Sequence, residues 1–455
     1  MGRKKKPFEI EITDTAFPGY GVGLKNEEEV YIKNALPGQK LLVIENRRKK
    51  GHMEARILET LEDANYKVQA PCPHFYQGCG GCTHQYLDYE KQLEFKKNQV
   101  LKLFEKKNIT GFEFEGIEGS PEMFHYRNKM EFTFGDMEKG GEITLGLHAR
   151  GMSFGILTVD QCYLVEEDYR TILKETLEYV KEKGFPKYRV MSREGFMRNL
   201  IIRQGKNTRE LMINVVTTSQ LNEDFIELKE RLLKLPLENK IKGILHTIND
   251  SFSDAVKIDE LKVLYGQDYI TENLLGLNFK ISPLSFFQTN SKGAEKLYSI
   301  VKEYIGESDD KVVFDLYCGT GTIGQIVAPK AKKVIGLELI EEAVKAAEIN
   351  AELNGLTNCK FIAGDVAETI KTIKEKPDTI ILDPPRAGVS SAAMKYVIDF
   401  DAKNIVYVSC NPESLVVNLK ELEAAGYRVD KVRVKDMFPH TPHVETVVRL
   451  QRKHS

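Results

Sequence analysis

Three closely spaced glycines follow a short apolar run in the segment 311–324: Gly319, Gly321 and Gly324. The pattern predicts a buried strand, a glycine-rich turn and the start of a helix, where a ligand can approach the backbone and its free N–H groups. Asp315, at the end of the strand, suits a cationic ligand. Glu338, about twenty residues on, suits ribose hydroxyls. We therefore expect S-adenosylmethionine, although the spacing alone also allows NAD or a purely structural turn.

Reactive side chains also stand where other predicted strands end or begin. Asp383 ends a strand in DTIILDPPRAG, Cys410 leaves a strand just ahead of a helix, and Glu445 starts the last strand. Strands that alternate with helices in this region predict a parallel, doubly wound sheet with its ligands at the carboxyl edge. A cysteine at a helix N-terminus can have a lowered pKa and act as a nucleophile. We expect Cys410 to be one, the alternative being a small buried hydrophobe.

A cysteine-rich loop lies far upstream and has the spacing C-x6-C-x2-C. Its members are Cys72, Cys79 and Cys82. A fourth ligand is missing locally, and Cys162 is the only distant cysteine outside the predicted cofactor domain. Four thiolates hold zinc or an iron-sulfur cluster, and spacing does not decide between the two. His74 and His84 keep a zinc site open.

The length of 455 residues predicts two or three domains. Residues 1–62 alternate β-like runs with Pro-Gly and Gly-x-Gly turns, which favours a small five-stranded barrel that either binds single-stranded nucleic acid or serves as a packing module. Residues 63–284 form a predicted α+β domain that begins with the cysteine loop and an amphipathic helix over 88–108. Residues 285–455 form the predicted α/β cofactor domain.

The composition indicates an ordinary globular protein, with 42% hydrophobic and 29% charged residues and seven cysteines. No apolar run is long enough to span a bilayer and the first residues lack a secretion signal, so we expect a cytoplasmic protein. The net charge of −2 gives no global attraction to a polyanion. Two local basic segments, 47–50 and 187–210, could contact RNA or be solvated faces.

Several motifs together carry a family resemblance. DLYCGTGTIG, ILDPPRAG, VSCNP, HVETV and FFQTN, with the cysteine array, resemble the RNA uracil-5 methyltransferase family over nearly the whole chain. The N-terminal barrel resembles the OB-like TRAM domain of many members. The resemblance implies a Rossmann-like methyltransferase domain and a 4Fe-4S cluster on Cys72, Cys79, Cys82 and Cys162. It also allows the helix over 88–108 to pack on the C-terminal domain, which would make the domain boundaries discontinuous.

The resemblance also implies a mechanism. The Cys410 thiolate attacks C6 of uracil, C5 then takes the methyl group from S-adenosylmethionine, and Glu445 removes the C5 proton to give 5-methyluridine. The family pattern assigns four cofactor contacts: Gln288, Tyr317, Glu338 and Asp383. Asp383 could equally polarise the uracil ring, and Asp365 is a weaker candidate for the adenine amine.

The expected substrate is an RNA loop or unfolded segment, because the base must leave its stack to be methylated. We predict 23S ribosomal RNA first and transfer RNA second, with Arg198, Arg203 and Arg209 contacting the backbone. No membrane contact or obligate protein partner is evident from the sequence.

Three other functions remain open from the residues. An amino methyltransferase would need an aromatic residue after Asp-Pro-Pro, where this chain has Arg386, and would not need Cys410. A non-catalytic RNA-binding iron-sulfur protein would not need the acids at the strand ends. A 5-methylcytosine enzyme usually has Pro-Cys after the fourth strand, where this chain has Asp383 and two prolines.

Overall fold

The computed structural model of the chain describes residues 5–49, 52–152, 154–253, 255–307 and 309–453. Lys50, the end of the first basic segment, lies outside the described residues. None of the described helices is long and apolar enough to cross a membrane.

The N-terminal region forms a sheet of six strands: β1 (Phe8–Glu11), β2 (Asp14–Ala16), β3 (Tyr20–Lys25), β4 (Glu28–Lys33), β5 (Lys40–Lys49) and β6 (His52–Glu62). Their order is β1-β5-β6-β4-β3-β2. The count is six rather than the predicted five because the first run changes partner between Ile12 and Thr13. The Ile12 N–H donates to Gln39 O, and the Thr13 N–H donates to Val22 O.

The chain then passes through α1 (Pro73–Tyr76), α2 (Tyr89–Lys106) and β7 (Glu113–Glu118). Asp88 caps α2 by accepting from the N–H groups of Glu90 and Lys91. The apolar face of α2, with Val100 and Phe104, belongs to the same core as the strands of the C-terminal sheet. This part of the chain is therefore packed against the C-terminal region.

A central seven-stranded sheet has the order β10-β9-β8-β11-β12-β13-β14. Its elements in chain order are β8 (Lys129–Gly135), β9 (Thr144–His148), β10 (Ile156–Thr158), α3 (Glu167–Lys183), β11 (Met197–Gly205), β12 (Glu210–Thr217), α4 (Ile226–Leu233), β13 (Lys240–Ile248) and β14 (Glu260–Gly266). Apolar residues of α3 and α4 share one core with the sheet and with the cysteine loop. A hairpin, β15 (Ile270–Leu274) and β16 (Leu277–Ile281), leads to the C-terminal region.

The C-terminal region alternates strands and helices: α5 (Ser291–Ile305), β17 (Val312–Leu316), α6 (Thr322–Val327), β18 (Lys333–Glu338), α7 (Glu341–Leu353), β19 (Cys359–Ala363), α8 (Val366–Thr369), β20 (Thr379–Leu382), α9 (Ser391–Asp399), β21 (Asn404–Ser409), α10 (Pro412–Ala424), β22 (Tyr427–Lys435) and β23 (Glu445–Arg452). Short 3-10 turns cover Ala328–Lys330 and Ile370–Thr372.

These strands form an eight-stranded sheet of order β19-β18-β17-β20-β21-β23-β22-β7. Strands β17 to β21 are parallel, and β23 runs antiparallel between β21 and β22. The α/β, doubly wound arrangement places the loops after β17, β18, β20 and β21 at one edge. Because β23 is antiparallel, its first residue lies at that same edge.

Candidate active site

Asp315, near the end of β17, supports the glycine-rich turn between β17 and α6. Its side chain is fully buried, and Oδ2 accepts the Gly324 N–H at 2.8 Å. A Cβ at position 324 would lie 2.8 Å from that oxygen, so the contact requires glycine. Oδ1 has no hydrogen-bond partner among the described residues. Burial raises the pKa of Asp315 to about 7.

Glu338, at the end of β18, holds the turn from the neighbouring strand. Its Oε2 accepts the Gly319 N–H at 3.0 Å, and its Oε1 accepts the Ile340 N–H at 3.0 Å. Tyr317 is half-buried beside the turn with φ at +66°, and burial raises its pKa to about 12. Both side chains thus border the space that faces the glycines, at the carboxyl edge of the sheet.

Strand register brings Cys410 and Glu445 together. Ser409 of β21 is paired with Thr446 of β23, so the next residue of one strand lies beside the preceding residue of the other. Burial, together with the charges of Glu445 and Asp383, raises the pKa of the half-buried Cys410 thiol to about 11. The Arg386 guanidinium opposes this effect through its charge and a hydrogen bond. The thiol is therefore protonated at neutral pH as long as no further positive charge is bound near it.

Three acids act on the same region: Glu445, Asp383 and Asp315. The side chain of Glu445 is 5% exposed, and its pKa lies well above the usual range because of burial and the charge of Asp383, with Arg386 opposing. Burial raises the pKa of Asp383 to about 7. The buried Tyr298 of α5 has a strongly raised pKa from burial and from the charges of Asp383, Glu445 and Asp315. A cation bound here would relieve the repulsion among these acids.

Two loops of the site are joined by hydrogen bonds around Arg386. The Asn411 Nδ2 donates to Arg386 O at 2.8 Å, and the Ser414 hydroxyl donates to the same oxygen at 3.1 Å. Asn411 also caps α10, whose first turn follows Cys410 directly. These bonds tie the loop after β20 to the residues that follow Cys410. Sequence reasoning missed this role of Arg386, although its position directly after Asp-Pro-Pro at a strand end was a usable signal.

Gln288 lies on the segment that joins the central sheet to α5. Asn128 Nδ2 donates to Gln288 O at 2.9 Å and to the Ser291 hydroxyl at 2.8 Å. Among the described hydrogen bonds, none joins the Gln288 side chain to Cys410, Asp383 or Glu445. Its backbone is positioned by β8 of the central region, which no motif in the sequence indicated.

The four cysteines predicted as ligands are buried around one small cavity of about 10 Å³: Cys72, Cys79, Cys82 and Cys162. Burial raises the pKa values of Cys82 and Cys162 to about 12. The Gln85 side-chain amide donates to Cys82 Sγ at 3.1 Å, and the Gly81 N–H donates to Cys79 Sγ at 3.4 Å. Within the described ranges, no group of three or more His, Cys, Asp or Glu side chains is arranged to hold a single metal ion.

His74 is unsuited to the zinc site that the sequence left open. Its Nδ1 lies 2.7 Å from Gln77 Oε1, and its Nε2 accepts the Gln161 N–H at 3.0 Å. Both ring nitrogens are thus engaged within the protein. His84 does not line the cysteine cavity.

The expectation that Arg198 contacts RNA is wrong. Its buried guanidinium donates to the main-chain oxygens of Asn249 and Ser251 at 2.9 and 2.8 Å. Other cations of the 187–210 segment are also committed, since Lys187 and Arg189 pair with Asp136. The segment is therefore not a continuous basic surface. Charge counting along the sequence cannot detect partners from distant strands.

Comparison with known proteins adds a family to this geometry. A family model described as tRNA (uracil-5-)-methyltransferase matches residues 88–453. Two curated relatives, from Clostridium tetani and Clostridium acetobutylicum, are described as uncharacterized RNA methyltransferases. They are 59% and 57% identical over 451 residues, covering 99% of this chain and 99% of each relative.

A solved structure has the same architecture over almost the full length. It is the tRNA (uracil-54, C5)-methyltransferase of Pyrococcus abyssi in complex with S-adenosyl-L-homocysteine. The TM-score is 0.76 at 27% sequence identity, covering 97% of this chain and 100% of that chain. With the family match over residues 88–453, these findings show that the chain belongs to the RNA uracil-5 methyltransferase family and is an enzyme of that class.

Proposed function

We propose that the enzyme transfers a methyl group from S-adenosylmethionine to C5 of a uridine in RNA through a covalent bond between Cys410 Sγ and C6. The observation that carries the proposal is the register of β21 and β23, which sets Cys410 beside Glu445 with Asp383 close to both. An amino methyltransferase would have no use for this arrangement of thiol and acid.

The reaction needs both residues because uracil C5 is a poor nucleophile. Bond formation between the Cys410 thiolate and C6 turns the ring into an enolate, whose C5 can attack an electrophilic carbon. S-adenosylmethionine would supply that carbon as its sulfonium methyl group, whose S–CH3 bond breaks to leave S-adenosylhomocysteine. Glu445 then takes the C5 proton, the C5=C6 double bond re-forms, and the S–C6 bond breaks to release the Cys410 thiolate.

The raised pKa values of Cys410 and Glu445 suggest that binding of the cationic cofactor activates the site. In the substrate-free protein, burial raises the pKa values of both the Cys410 thiol and the Glu445 carboxyl, because it disfavours their charged forms. A sulfonium cation bound near Asp315 and Asp383 would lower the pKa values of the neighbouring groups. Arg386 already acts in the same direction on Cys410.

The residues around the glycine turn fit S-adenosylmethionine. The unpartnered Asp315 Oδ1 offers a buried acceptor, and the space above Gly319 is open, since a Cβ there would meet no atom within 4 Å. We propose that Glu338 binds the ribose hydroxyls and that Tyr317 packs on the cofactor. Asp383 and Gln288 would contact either the cofactor or the uracil.

We also propose that Cys72, Cys79, Cys82 and Cys162 hold a 4Fe-4S cluster. In such a cluster the four thiolates surround a cubane and not one ion, which is compatible with four cysteines around one cavity and no single-ion site. The N–H groups directed at Cys79 and Cys82 would stabilise thiolates. The cluster would connect the loop to the strand end that carries Cys162, and we assign it no redox step.

The protein would then consist of three domains: an RNA-binding, TRAM-like barrel at 1–62, a central domain at 63–284, and the methyltransferase domain at 285–455. Helix α2 packs on the methyltransferase domain. Aromatic rings on the N-terminal sheet support RNA stacking there. Tyr31 lies 6.1 Å from Tyr20 and 4.3 Å from His52 between ring centroids.

A basic residue near Gln288 supports a backbone contact. Lys129 of β8 is partly exposed, and its nearest ion-pair partner is Glu131 at 3.8 Å. Arg203 of β11, directly opposite Lys129, is 4% exposed and donates to Ser285 O, so the expectation that Arg203 contacts RNA is wrong for the same reason as for Arg198. A phosphate beside Lys129 would compensate these adjacent like charges.

We propose 23S ribosomal RNA as the substrate, on the strength of the motif resemblance. Transfer RNA is the second candidate, and the match to the Pyrococcus abyssi enzyme favours it, because that match covers 97% of this chain. Since that match extends over the N-terminal sheet and the cysteine loop, the presence of these two features does not distinguish an enzyme for ribosomal RNA from one for transfer RNA.

The test is a methylation assay with labelled S-adenosylmethionine on unmodified 23S ribosomal RNA and transfer RNA transcripts, followed by nucleoside analysis. We expect 5-methyluridine from one transcript, and its loss in Cys410→Ala. A methylated adenine or guanine, or activity that survives in Cys410→Ala, would contradict the proposal.

A further inference from the structure

The segment 436–444 joins β22 to β23 and directly precedes Glu445. It is held in place by residues from distant parts of the chain. Gln92 of α2 makes two contacts with its middle residue, His440. The Gln92 Oε1 accepts the His440 N–H at 2.9 Å, and the Gln92 Nε2 lies 3.1 Å from His440 Nδ1. Gln92 is 1% exposed, so water does not compete for these contacts.

The start of the segment is held by a buried ion pair from the same helix. Lys96 Nζ lies 2.7 Å from Asp436 Oδ1 and donates to Phe438 O at 3.2 Å. The Tyr89 hydroxyl donates to Asp436 Oδ2 at 3.0 Å. Lys96 and Asp436 are both inaccessible to solvent, and each charge is compensated only by the other and by hydrogen bonds.

The cysteine loop supports the segment from the other side. The Thr83 and His84 N–H groups both donate to His440 O, at 2.9 and 3.0 Å. These donors directly follow Cys82. His440 itself has φ at +65°, a left-handed conformation that is uncommon for residues other than glycine and that these contacts hold in place.

The N-terminal sheet completes the clamp. A Cβ at Gly19 would lie 2.9 Å from Pro442 Cβ and 3.6 Å from the His84 ring. The turn after β2 therefore packs directly on the segment, beside the cysteine loop. Three separate parts of the chain thus meet on the residues that precede Glu445.

We propose that Gln92 is a positioning residue for the general base, and that the four-cysteine loop serves the same purpose through the His440 carbonyl. Gln92 fixes the backbone of the segment 436–444, and this segment sets the position of the Glu445 carboxyl over C5. The inference rests on the proposed function, because it assigns Gln92 to one step of that reaction. The step is removal of the C5 proton, which follows methyl transfer and precedes release of Cys410.

The predicted consequence differs from that of a general structural defect. If Glu445 is misplaced, Cys410 still adds to C6 and C5 still takes the methyl group. Proton removal is then slow, so the S–C6 bond persists and the methylated RNA remains attached to the enzyme. A misfolded protein would instead form less adduct.

The experiment compares Gln92→Met with the wild-type full-length protein on whichever of the 23S ribosomal RNA and transfer RNA transcripts the wild type methylates. Methionine has a similar volume but makes no such hydrogen bonds. We expect kcat to fall roughly 10- to 100-fold with KM within about twofold, because small misplacements of a catalytic group have effects of this size. The fraction of protein in a denaturation-resistant complex with methylated RNA should rise.

Gln99→Met is the matched control, since Gln99 is on the same helix, is 6% exposed, and makes no described hydrogen bond to the segment. Gln92→Glu keeps the acceptor for the His440 N–H and should recover part of kcat, even if Gln92→Met is poorly folded. The inference is overturned if Gln92→Met keeps the wild-type kcat, if kcat falls without more adduct, or if Gln99→Met behaves identically. If the wild type methylates neither transcript, the proposed function itself is contradicted, and this result is distinct from a failure of the inference about Gln92.

Discussion

At the scale of single residues, the site is governed by acids that the fold keeps out of water. Asp315 and Asp383 have pKa values raised to about 7 by burial, so each is largely neutral below that pH. In the free protein, their burial costs stability as the pH rises from their unfolded values near 4 through 7. A bound cation reverses this effect by stabilising the ionised forms.

The affinity for S-adenosylmethionine should therefore depend on pH. We expect Kd to rise roughly tenfold or more as the pH falls from 8 to 6, because the carboxylates that pair with the cation become protonated. Isothermal titration calorimetry at several pH values measures this. S-adenosylhomocysteine, which lacks the sulfonium charge, should show a weaker dependence, and Asp383→Asn should reduce the dependence for S-adenosylmethionine. Identical, flat profiles for both ligands would contradict the electrostatic interpretation.

Sequence patterns located many of these residues because strand ends collect functional groups. Asp383, Cys410 and Glu445 each adjoin a strand that apolar runs made recognisable, and the structure places them at one edge. Arg386 was not predicted as a partner of Cys410, since its effect depends on the fold of the loop after β20. Tyr298 was missed as well, because an aromatic residue on an amphipathic helix is usually part of the core.

At the scale of elements, two glycines with a left-handed backbone differ in what surrounds them: Gly321 lies in the glycine-rich turn and Gly355 follows α7. Gly321 has φ at +70°, and a Cβ there would lie 2.6 Å from the Phe361 ring. Gly355 has φ at +65°, but a Cβ there would meet nothing within 4 Å. An alanine at either position would be strained by the left-handed backbone. Only at Gly321 would its methyl group also collide with a neighbouring side chain.

Substitution at these two glycines separates strain from collision. Gly355→Ala should lose about 1–2 kcal/mol of unfolding free energy and leave S-adenosylmethionine affinity unchanged. Gly321→Ala should lose more stability and bind S-adenosylmethionine roughly tenfold more weakly or worse, because the turn must shift to accommodate the methyl group. Thermal unfolding and calorimetry test both variants. Equal affinities would show that the turn does not depend on Gly321 for binding.

The elements themselves were predictable to different degrees. The strand and helix order of the C-terminal region follows from apolar runs and turn residues, and the helix predicted over 88–108 is observed as Tyr89–Lys106. Strand β7, Glu113–Glu118, was not predicted to join the C-terminal sheet. It pairs with β22, and the pairing of Glu113 with Lys431 joins residues more than 300 positions apart. The short sequence of β7 mixes polar and apolar residues and does not indicate this pairing.

At the scale of the whole molecule, the three regions are joined around the segment that leads to Glu445. Helix α2, the cysteine loop and the N-terminal sheet all contact the segment 436–444. No spacing or composition rule predicts such an assembly, because its contacts link residues far apart in sequence. The prediction that the segment 187–210 is a basic surface failed for the same reason, since two of its cations, Lys187 and Arg189, pair with Asp136 from a distant strand end.

The central claim is the covalent bond between Cys410 and C6 of uracil, and trapping that bond tests it most directly. RNA that contains 5-fluorouridine has no C5 proton to lose after methyl transfer, so the adduct should persist. After denaturation and nuclease and protease digestion, mass spectrometry should find a methylated fluorouridine on the peptide that contains Cys410, and none with Cys410→Ala. A nucleotide attached to another residue, or no attachment by an enzyme that methylates ordinary RNA, would contradict the mechanism.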